Sequence, residues 1–132
     1  MKITADTNIL VRALIQDDVD QTRLATEALL NAQTVVLTPM ALCEFVWVAT
    51  RAYRLGPPEI GAAIRTLLAS ENVEADWPIV EAGLAMLDAG GDFADGVIAL
   101  EGRRQGADVF LSFDREAVRE LQAQGESARL LG

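Results

Sequence analysis

Five carboxylates of this sequence occupy positions where an acid could bind a ligand: Asp6, Glu44, Asp92, Asp95 and Asp114. Asp6 follows a short strand-like run and precedes an apolar helical pattern that begins with Ile9 and Leu10. Open α/β sheets place their ligand sites at such strand-to-helix junctions. An Asp at this position also commonly caps the helix. Asp6 is therefore either a helix cap or the first ligand of an active site.

Glu44 lies in a segment, from Thr38 to about Tyr53, that is apolar nearly all round a helix, which predicts a buried helix. Its neighbours three and four residues away include Met40 and Trp47 but no cation. An ionised carboxylate in a buried helix needs a partner or a metal ion. We therefore expect Glu44 to bind a metal; the alternative is a salt bridge to a distant arginine such as Arg12.

Asp92 and Asp95 stand three residues apart at the predicted start of another helix. Asp92 fits the role of an N-cap, and a carboxylate three positions later interacts favourably with the helix dipole. Asp95, however, shares a helical face with Ile98 and Ala99, which are predicted to face the core. With Gly96 beside it to leave room, Asp95 fits a binding site better than a cap.

Asp114 follows within two residues the strand predicted at Val109–Ser112. This is again the carboxyl end of a core strand, and again the alternative is an N-cap. Two strands that each end in an Asp, and two helices with carboxylates on apolar faces, together predict a site for a hard cation.

Residue types that the sequence lacks narrow the chemistry. There is no histidine, which excludes His bases, His metal ligands and Ser-His-Asp triads. Lys2 is the only lysine, so a GK[ST] phosphate loop is excluded. Cys43, the only cysteine, can form neither an internal disulfide nor a thiolate zinc site. Any catalysis must use the 20 Asp and Glu residues, with Mg²⁺ or Mn²⁺ as the expected cation.

Length and charge set further bounds. The 132 residues fit a single domain, 1–132, with enough chain for a core. The absence of a membrane-spanning apolar run or a signal-peptide pattern, together with the single cysteine, predicts a cytoplasmic protein with no membrane contact. The net charge of −9 argues against broad electrostatic binding to nucleic acid but allows a local arginine patch.

Helical and strand patterns alternate along the chain. Strands are predicted before Asp6 and at Thr34–Thr38, Val73–Glu74, Val109–Ser112 and Ala128–Leu131. Helices are predicted from Ile9, then over Gln21–Asn31, Thr38–Tyr53, Glu59–Ala69, Asp76–Ala89, Asp92–Gln105 and Arg115–Ala123, with a turn at Asp17–Asp20. This order predicts an α/β fold, a three-layer α/β/α sandwich with a mostly parallel central sheet.

Four motifs, taken together and in order, resemble those of a PIN domain, closest to the VapC-type toxins of bacterial and archaeal toxin–antitoxin pairs. They are Asp6-Thr7-Asn8, Glu44 in an apolar helix, Asp92-Phe93-Ala94-Asp95-Gly96-Val97-Ile98-Ala99, and Ser112-Phe113-Asp114-Arg115. The resemblance covers essentially the whole chain. It implies that Asp6, Glu44, Asp95 and Asp114 form an acidic quartet that holds Mg²⁺ or Mn²⁺. It further implies that Asp92 is a supporting acid of that metal site and that Asn8 and Ser112 are polar groups behind the ligands. Gly96 departs from the family, which more often has alanine there.

The same resemblance implies an endoribonuclease, the toxin of a type II toxin–antitoxin system. One or two cations would activate water and stabilise the attacking and leaving oxygens of an RNA phosphodiester. Arginines near the site would attract the RNA, and the candidates are Arg12, Arg51, Arg103, Arg104 and Arg115. The resemblance also implies a homodimer and an antitoxin whose tail lies across the active-site cleft.

Two other functions share some of these sequence features. A haloacid-dehalogenase-like phosphatase also begins with an Asp after its first strand, but it requires a second Asp two residues later, where this chain has Asn8. A non-catalytic α/β binding module, whose acids are only caps and salt bridges, is the more serious alternative.

The hydropathy of the chain bears on partners. Its mean hydropathy of +0.21 is high for a small soluble protein. The helix that carries Glu44 is wrapped by apolar residues that include Leu42, Phe45, Val46, Val48 and Tyr53. Trp47 and Trp77 add large side chains that a small domain does not bury easily. These residues fit either a well-filled core or a protein interface, and the resemblance to VapC-type toxins favours the interface.

Overall fold

The computed structural model describes all 132 residues and contains seven helices and five strands. The packing of the backbone divides the chain into two compact units, Met1–Asp76 (unit 1) and Trp77–Gly132 (unit 2). Every strand pair is parallel. The predicted α/β fold with parallel strands is therefore confirmed.

Unit 1 is built on a three-stranded sheet in the order β1-β2-β3. Its strands are β1 (Lys2–Thr4), β2 (Thr34–Leu37) and β3 (Val73–Ala75). Its helices are α1 (Thr7–Ile15), α2 (Val19–Asn31), α3 (Pro39–Arg51) and α4 (Pro57–Leu68). The register aligns Ile3 with Val35, and Val35 with Val73. Because the strands are parallel, β1 and β2 both end at the sheet edge from which α1 and α3 begin.

Unit 2 places three helices around a two-stranded sheet. Its helices are α5 (Trp77–Asp88), α6 (Phe93–Arg104) and α7 (Arg115–Ala123), and its strands are β4 (Phe110–Ser112) and β5 (Ala128–Leu130). Met86, Ala99 and Leu121, one from each helix, form a buried cluster against Phe110 and Ala128 of the two strands. A small core of its own thus holds unit 2 together.

Most helices begin at a residue whose side chain caps them. Asp6, Asp18, Thr38, Asp92 and Asp114 each accept a backbone N–H hydrogen bond from the first turn. The predicted turn at Asp17–Asp20 is shorter than expected, because the Asp18 cap starts α2 at Val19 rather than at Gln21. Helix α4 likewise begins at Pro57, earlier than predicted, since proline is well tolerated in the first turn.

Helix α3 is not buried all round, and that prediction is wrong. One face carries Ala41, Leu42, Phe45, Val46 and Ala49, all buried. On the other side Met40 is 73% exposed and Trp47 is 61% exposed. The helix is therefore amphipathic in its packing, and its outer side exposes large apolar residues.

Helices α5 and α6 approach so closely that two glycines are required between them. A Cβ at Gly96 would overlap the carbonyl oxygen of Ala82 and lie 2.9 Å from the Cγ of Met86. A Cβ at Gly83 would lie 2.6 Å from the ring of Phe93. Gly96 thus serves the packing of the helix pair, and this explains its departure from alanine. None of the helices combines the length and apolar content needed to cross a membrane.

Candidate metal and active site

Asp6 caps α1 after the end of β1, as the helix-cap interpretation predicts. Its Oδ1 accepts a hydrogen bond from the backbone N–H of Ile9 at 3.1 Å. The residue is exposed, and its Oδ2 makes no hydrogen bond within the chain. One carboxylate oxygen therefore serves the helix, and the other is open to a ligand. Asn8, two residues further on in the first turn of α1, is also exposed.

Glu44 lies on the exposed side of α3, so the prediction that it is a buried charge is wrong. Of its neighbours three and four residues away, Met40 and Trp47 are exposed, Val48 is half-buried and Ala41 is buried. The alternative partner, Arg12, is also wrong, because Arg12 Nη1 pairs with Asp17 Oδ1 at 3.0 Å. Instead, Thr7 Oγ1 donates a hydrogen bond to Glu44 Oε2 at 2.9 Å. Thr7, which directly follows Asp6, therefore holds Glu44 next to the start of α1.

Asp92 and Asp95 lie at the start of α6 and differ in environment. Asp92 is exposed and caps the helix, with Oδ1 accepting from the Ala94 N–H at 2.9 Å. Asp95 is half-buried, and this burial raises its pKa. The charges of Asp92 and Asp114 raise the pKa of Asp95 further. The Asp95 carboxylate is thus close enough to those of Asp92 and Asp114 to be repelled by both.

The helical face assigned to Asp95 is only partly apolar core. Ala99 is buried, as predicted, but Ile98 is 56% exposed. The prediction that both face the core is therefore wrong for Ile98. Asp95 consequently lies at the boundary between core and solvent, where a carboxylate is partly desolvated yet accessible.

Asp114 caps α7 after strand β4. Its Oδ1 accepts from the N–H groups of Glu116 at 3.0 Å and Ala117 at 3.2 Å. The backbone N–H of Asp114 donates to Ser112 Oγ at 2.9 Å. Ser112 therefore fixes the turn that presents Asp114. It has the supporting position, behind a potential ligand, that the resemblance implies for it.

The carboxylates do not form a ready metal-binding cluster. No group of three or more Asp, Glu or Cys side chains lies close enough together to hold a metal ion. The donor set itself fits Mg²⁺ or Mn²⁺, since every candidate ligand offers carboxylate oxygens. The acidic quartet remains a prediction. The structure joins Thr7 to Glu44 by a hydrogen bond and brings Asp95 within electrostatic range of Asp92 and Asp114.

Thr7 contacts a candidate ligand, a role that the sequence did not predict. The available signal was a hydroxyl between Asp6 and Asn8 at the first position of a helix, where a side chain can reach a neighbouring element.

Most of the candidate arginines already have a partner within the chain. Arg12 pairs with Asp17, Arg51 lies over the ring of Trp47 at 5.8 Å, Arg103 pairs with Glu126 at 3.3 Å, and Arg104 has a partner of its own. Arg115 alone among them has neither an ion pair nor a ring contact.

Comparison with protein families gives one match. The sequence model of the PIN domain matches residues 3–122, a span that contains the five candidate carboxylates Asp6, Glu44, Asp92, Asp95 and Asp114. No curated protein gives a significant match to the chain. PIN domains are generally nucleases that use divalent metal ions, which supports a function as a hydrolase of nucleic acids. From the length of this match and from the parallel α/β fold it follows that the chain belongs to the PIN domain family.

Proposed function

We propose that this protein is a divalent-metal-dependent endoribonuclease and acts as the toxin of a type II toxin–antitoxin system. The observation that carries the nuclease part is the PIN domain match over residues 3–122, combined with acids at the ends of β1 and β4 and at the starts of α1, α6 and α7. The toxin role is supported by the motif resemblance to VapC-type proteins. RNA is the proposed substrate.

Asp6, Glu44, Asp95 and Asp114 would hold Mg²⁺ or Mn²⁺, with Asp92 in support. When bound, the cation would lower the pKa of the attacking water, and its positive charge would stabilise the attacking and leaving oxygens. The Thr7 hydroxyl holds the Glu44 carboxylate by a hydrogen bond. Ser112 Oγ accepts from the backbone N–H of Asp114 and so holds the turn that carries this residue. Asn8 is exposed beside Asp6 and can donate to a phosphate oxygen.

RNA cleavage by the purified protein tests the proposal. We expect cleavage with Mg²⁺ or Mn²⁺, none in EDTA, and a loss of at least about a hundredfold in Asp6→Asn and Glu44→Gln, because each removes a ligand charge. Asp20→Asn is the matched control, since it removes the same charge from the first turn of α2, away from the candidate ligands. Cleavage that persists in EDTA, or that Asp6→Asn leaves unchanged, would contradict the mechanism.

A non-catalytic binding module remains the second candidate, and one observation favours it. Asp6, Asp92 and Asp114 all act as helix caps, which is the role that this candidate assigns to them. Calorimetry with Mn²⁺ separates the two functions. A nuclease binds the ion with an affinity that falls in Glu44→Gln, whereas a binding module shows no such site.

We propose two protein partners, a second copy of the chain and a cognate antitoxin. Of the apolar residues on α3, Leu42, Phe45 and Val46 are buried and belong to the core. The exposed side of α3 instead presents Met40 and Trp47 on either side of Glu44. An antitoxin tail lying there would bring a basic residue to the carboxylates, where a charge-assisted pair blocks the metal site.

Two measurements test these partners. Light scattering at micromolar concentration should give the mass of a dimer, and a monomer would contradict the dimer. An antitoxin encoded beside this gene should suppress cleavage, and removal of the basic residue from its tail should relieve the suppression. Binding without suppression would contradict the antitoxin proposal.

A further inference from the structure

Unit 2 contains a concave surface of about 500 Å³ between one face of α7 and strand β5. Three arginines line this surface, and no carboxylate does: Arg115, Arg119 and Arg129. Unit 2 as a whole has ten acidic and five basic residues. The lining therefore reverses the charge of the surrounding unit, and we name it the arginine cleft.

The cleft is built from regular elements. Arg115, Arg119 and Gln122 recur at helical spacing along one face of α7. Gln122 Nε2 donates to the carbonyl oxygen of Ala128 at 2.8 Å, which ties α7 to β5. Arg129 sits in the middle of β5. The arginines therefore stand on a helix and a strand whose relative position is fixed by a hydrogen bond.

The guanidinium groups of the cleft are available to a ligand. Arg115 and Arg129 are exposed and make no ion pair. Arg119 pairs with Glu116 Oε2 at 2.6 Å and approaches Glu120, but its side chain is 62% exposed. Exposed ion pairs contribute about 1 kcal/mol or less, so a competing anion can displace them. No strong internal partner neutralises the cleft.

Arg115 occupies a position that helix electrostatics disfavours. It is the first residue of α7, directly after the cap Asp114. The positive end of the helix dipole lies there, and a cation at that end is unfavourable. The same dipole adds to the attraction of an anion, because the helix N-terminus and the guanidinium act in one direction. The Asp114 carboxylate, which accepts from the N–H groups of Glu116 and Ala117, already offsets part of this dipole.

We infer that the arginine cleft binds the phosphodiester backbone of single-stranded RNA beside Asp114. Planar guanidinium groups match phosphate oxygens in a bidentate way, which favours phosphate over other anions. From Arg115 to Gln122 the helix face extends about 10 Å, long enough for more than one phosphate. This inference rests on the proposed ribonuclease function, since it adds a positioning site for the same substrate.

Binding of a labelled single-stranded RNA of about ten nucleotides, measured by anisotropy in EDTA, tests the inference without cleavage. In Arg115→Gln/Arg129→Gln we expect affinity to fall by about tenfold or more. The dependence of log K on log salt should become less steep by about 1.4, or about 0.7 for each phosphate that an arginine no longer neutralises. Arg23→Gln/Arg54→Gln removes the same charge outside the cleft and should leave the salt dependence as in the wild type.

The outcomes separate this inference from the proposed function. No RNA binding by the wild type, or an equal loss in both double variants, overturns the arginine cleft even if Mn²⁺-dependent cleavage is observed. Cleft-dependent binding without any cleavage supports the cleft and contradicts the ribonuclease. Polyglutamate that competes as well as RNA, with the same dependence on Arg115 and Arg129, would instead assign the cleft to an acidic protein segment.

Discussion

Thr7 Oγ1 and Glu44 Oε2 lie 2.9 Å apart and join two helices from residues 37 positions apart in sequence. The bond connects the first residue of α1 to the middle of α3. Because Asp6 caps the same turn of α1, one short segment both carries one candidate ligand and positions another. The arrangement gives Thr7 a role that can be separated experimentally from the carboxylates.

Thr7→Val should weaken metal binding without unfolding the protein. Valine keeps the shape of threonine but cannot donate to Glu44, so the carboxylate is no longer held in place. Loss of a group that orients a ligand commonly lowers metal affinity about tenfold or more, whereas loss of one exposed hydrogen bond changes stability by about 1 kcal/mol or less. Calorimetry with Mn²⁺ and a thermal melt in EDTA measure the two effects. Thr7→Ser keeps the hydroxyl and should behave like the wild type; equal affinities in the valine and serine variants would refute the role.

Asp95→Asn should raise stability in EDTA in a pH-dependent way. The pKa of Asp95 is raised above its ordinary value of 3.8, first by burial and then by the charges of Asp92 and Asp114. Because the pKa of Asp95 is higher in the folded than in the unfolded protein, its ionised carboxylate destabilises the fold. This destabilisation is absent below the unfolded-state pKa and is complete once pH has risen through the folded-state pKa. The variant should therefore melt above the wild type at about pH 7, and the difference should narrow toward about pH 4.

Asp108→Asn is the control for charge alone, since Asp108 lies in the loop before β4 and its substitution should change the melting temperature little.

Asp114→Asn should also melt higher in EDTA, because it removes the repulsion between Asp114 and Asp95. The cap is kept, since asparagine still offers an oxygen to the N–H groups of Glu116 and Ala117. Both site variants should lose the stabilisation that added Mn²⁺ gives the wild type. Lower melting of both in EDTA would mean that their structural roles dominate.

The pKa of Tyr53 should be measurable without interference from any other tyrosine, because it is the only one in the chain. Tyr53 donates to Asp17 Oδ2 at 2.8 Å, and this bond, with some desolvation and the Asp17 charge, raises the pKa of Tyr53 above its ordinary value of 10.0. Titration of the tyrosinate absorbance should show the shift, and Asp17→Asn should reduce it.

The same bond predicts an acid-dependent contribution to stability. The Tyr53 hydroxyl, and secondarily Arg12, lower the pKa of Asp17 in the folded protein. A carboxyl with a lowered pKa stabilises the fold above its unfolded pKa, and this contribution is lost as pH falls through the folded-state pKa. Tyr53→Phe should therefore lower the urea midpoint at neutral pH and make less difference in acid. An equal effect at both pH values would indicate packing rather than the hydrogen bond.

Gly96→Ala should destabilise unit 2, although alanine is the better helix former. The new Cβ would overlap the Ala82 carbonyl oxygen, and such overpacking costs about 1–3 kcal/mol against a propensity gain of about 1 kcal/mol. Gly102→Ala in the same helix is the control, because its Cβ would meet only Ala107 at 3.8 Å. That variant should gain up to about 1 kcal/mol in urea unfolding. A stabilised Gly96→Ala variant would show that α5 and α6 can separate.

Local chemistry explains which predictions from the sequence were accurate. The starts of α1, α3, α6 and α7 follow from capping residues, and the parallel pairing follows from the alternation of strands and helices. These signals lie within a few residues of the feature that they predict. The caps Asp6, Asp92 and Asp114 were recognisable for the same reason.

Features that depend on tertiary packing were not predictable in this way. Helix α3 has apolar residues on two sides, and its sequence does not tell which side is buried, so the sequence predicted a buried Glu44. Leu111 of β4 belongs to an apolar run but is 50% exposed, because the two-stranded sheet leaves one side of it uncovered. The Thr7–Glu44 bond and the arginine cleft join residues from separate elements and have no local signature.

The caps of α1, α6 and α7 have a consequence for ion selectivity. In Asp6, Asp92 and Asp114 the Oδ1 atom accepts from helix N–H groups, so Oδ2 is the oxygen of each side chain that is free of cap hydrogen bonds. Ca²⁺ favours many oxygens and often both from one carboxylate, whereas Mg²⁺ needs few protein oxygens and keeps several waters. Helix capping therefore occupies one oxygen of each of these three carboxylates with a hydrogen bond before an ion binds. We expect Ca²⁺ to be a poor substitute for Mg²⁺ for this reason.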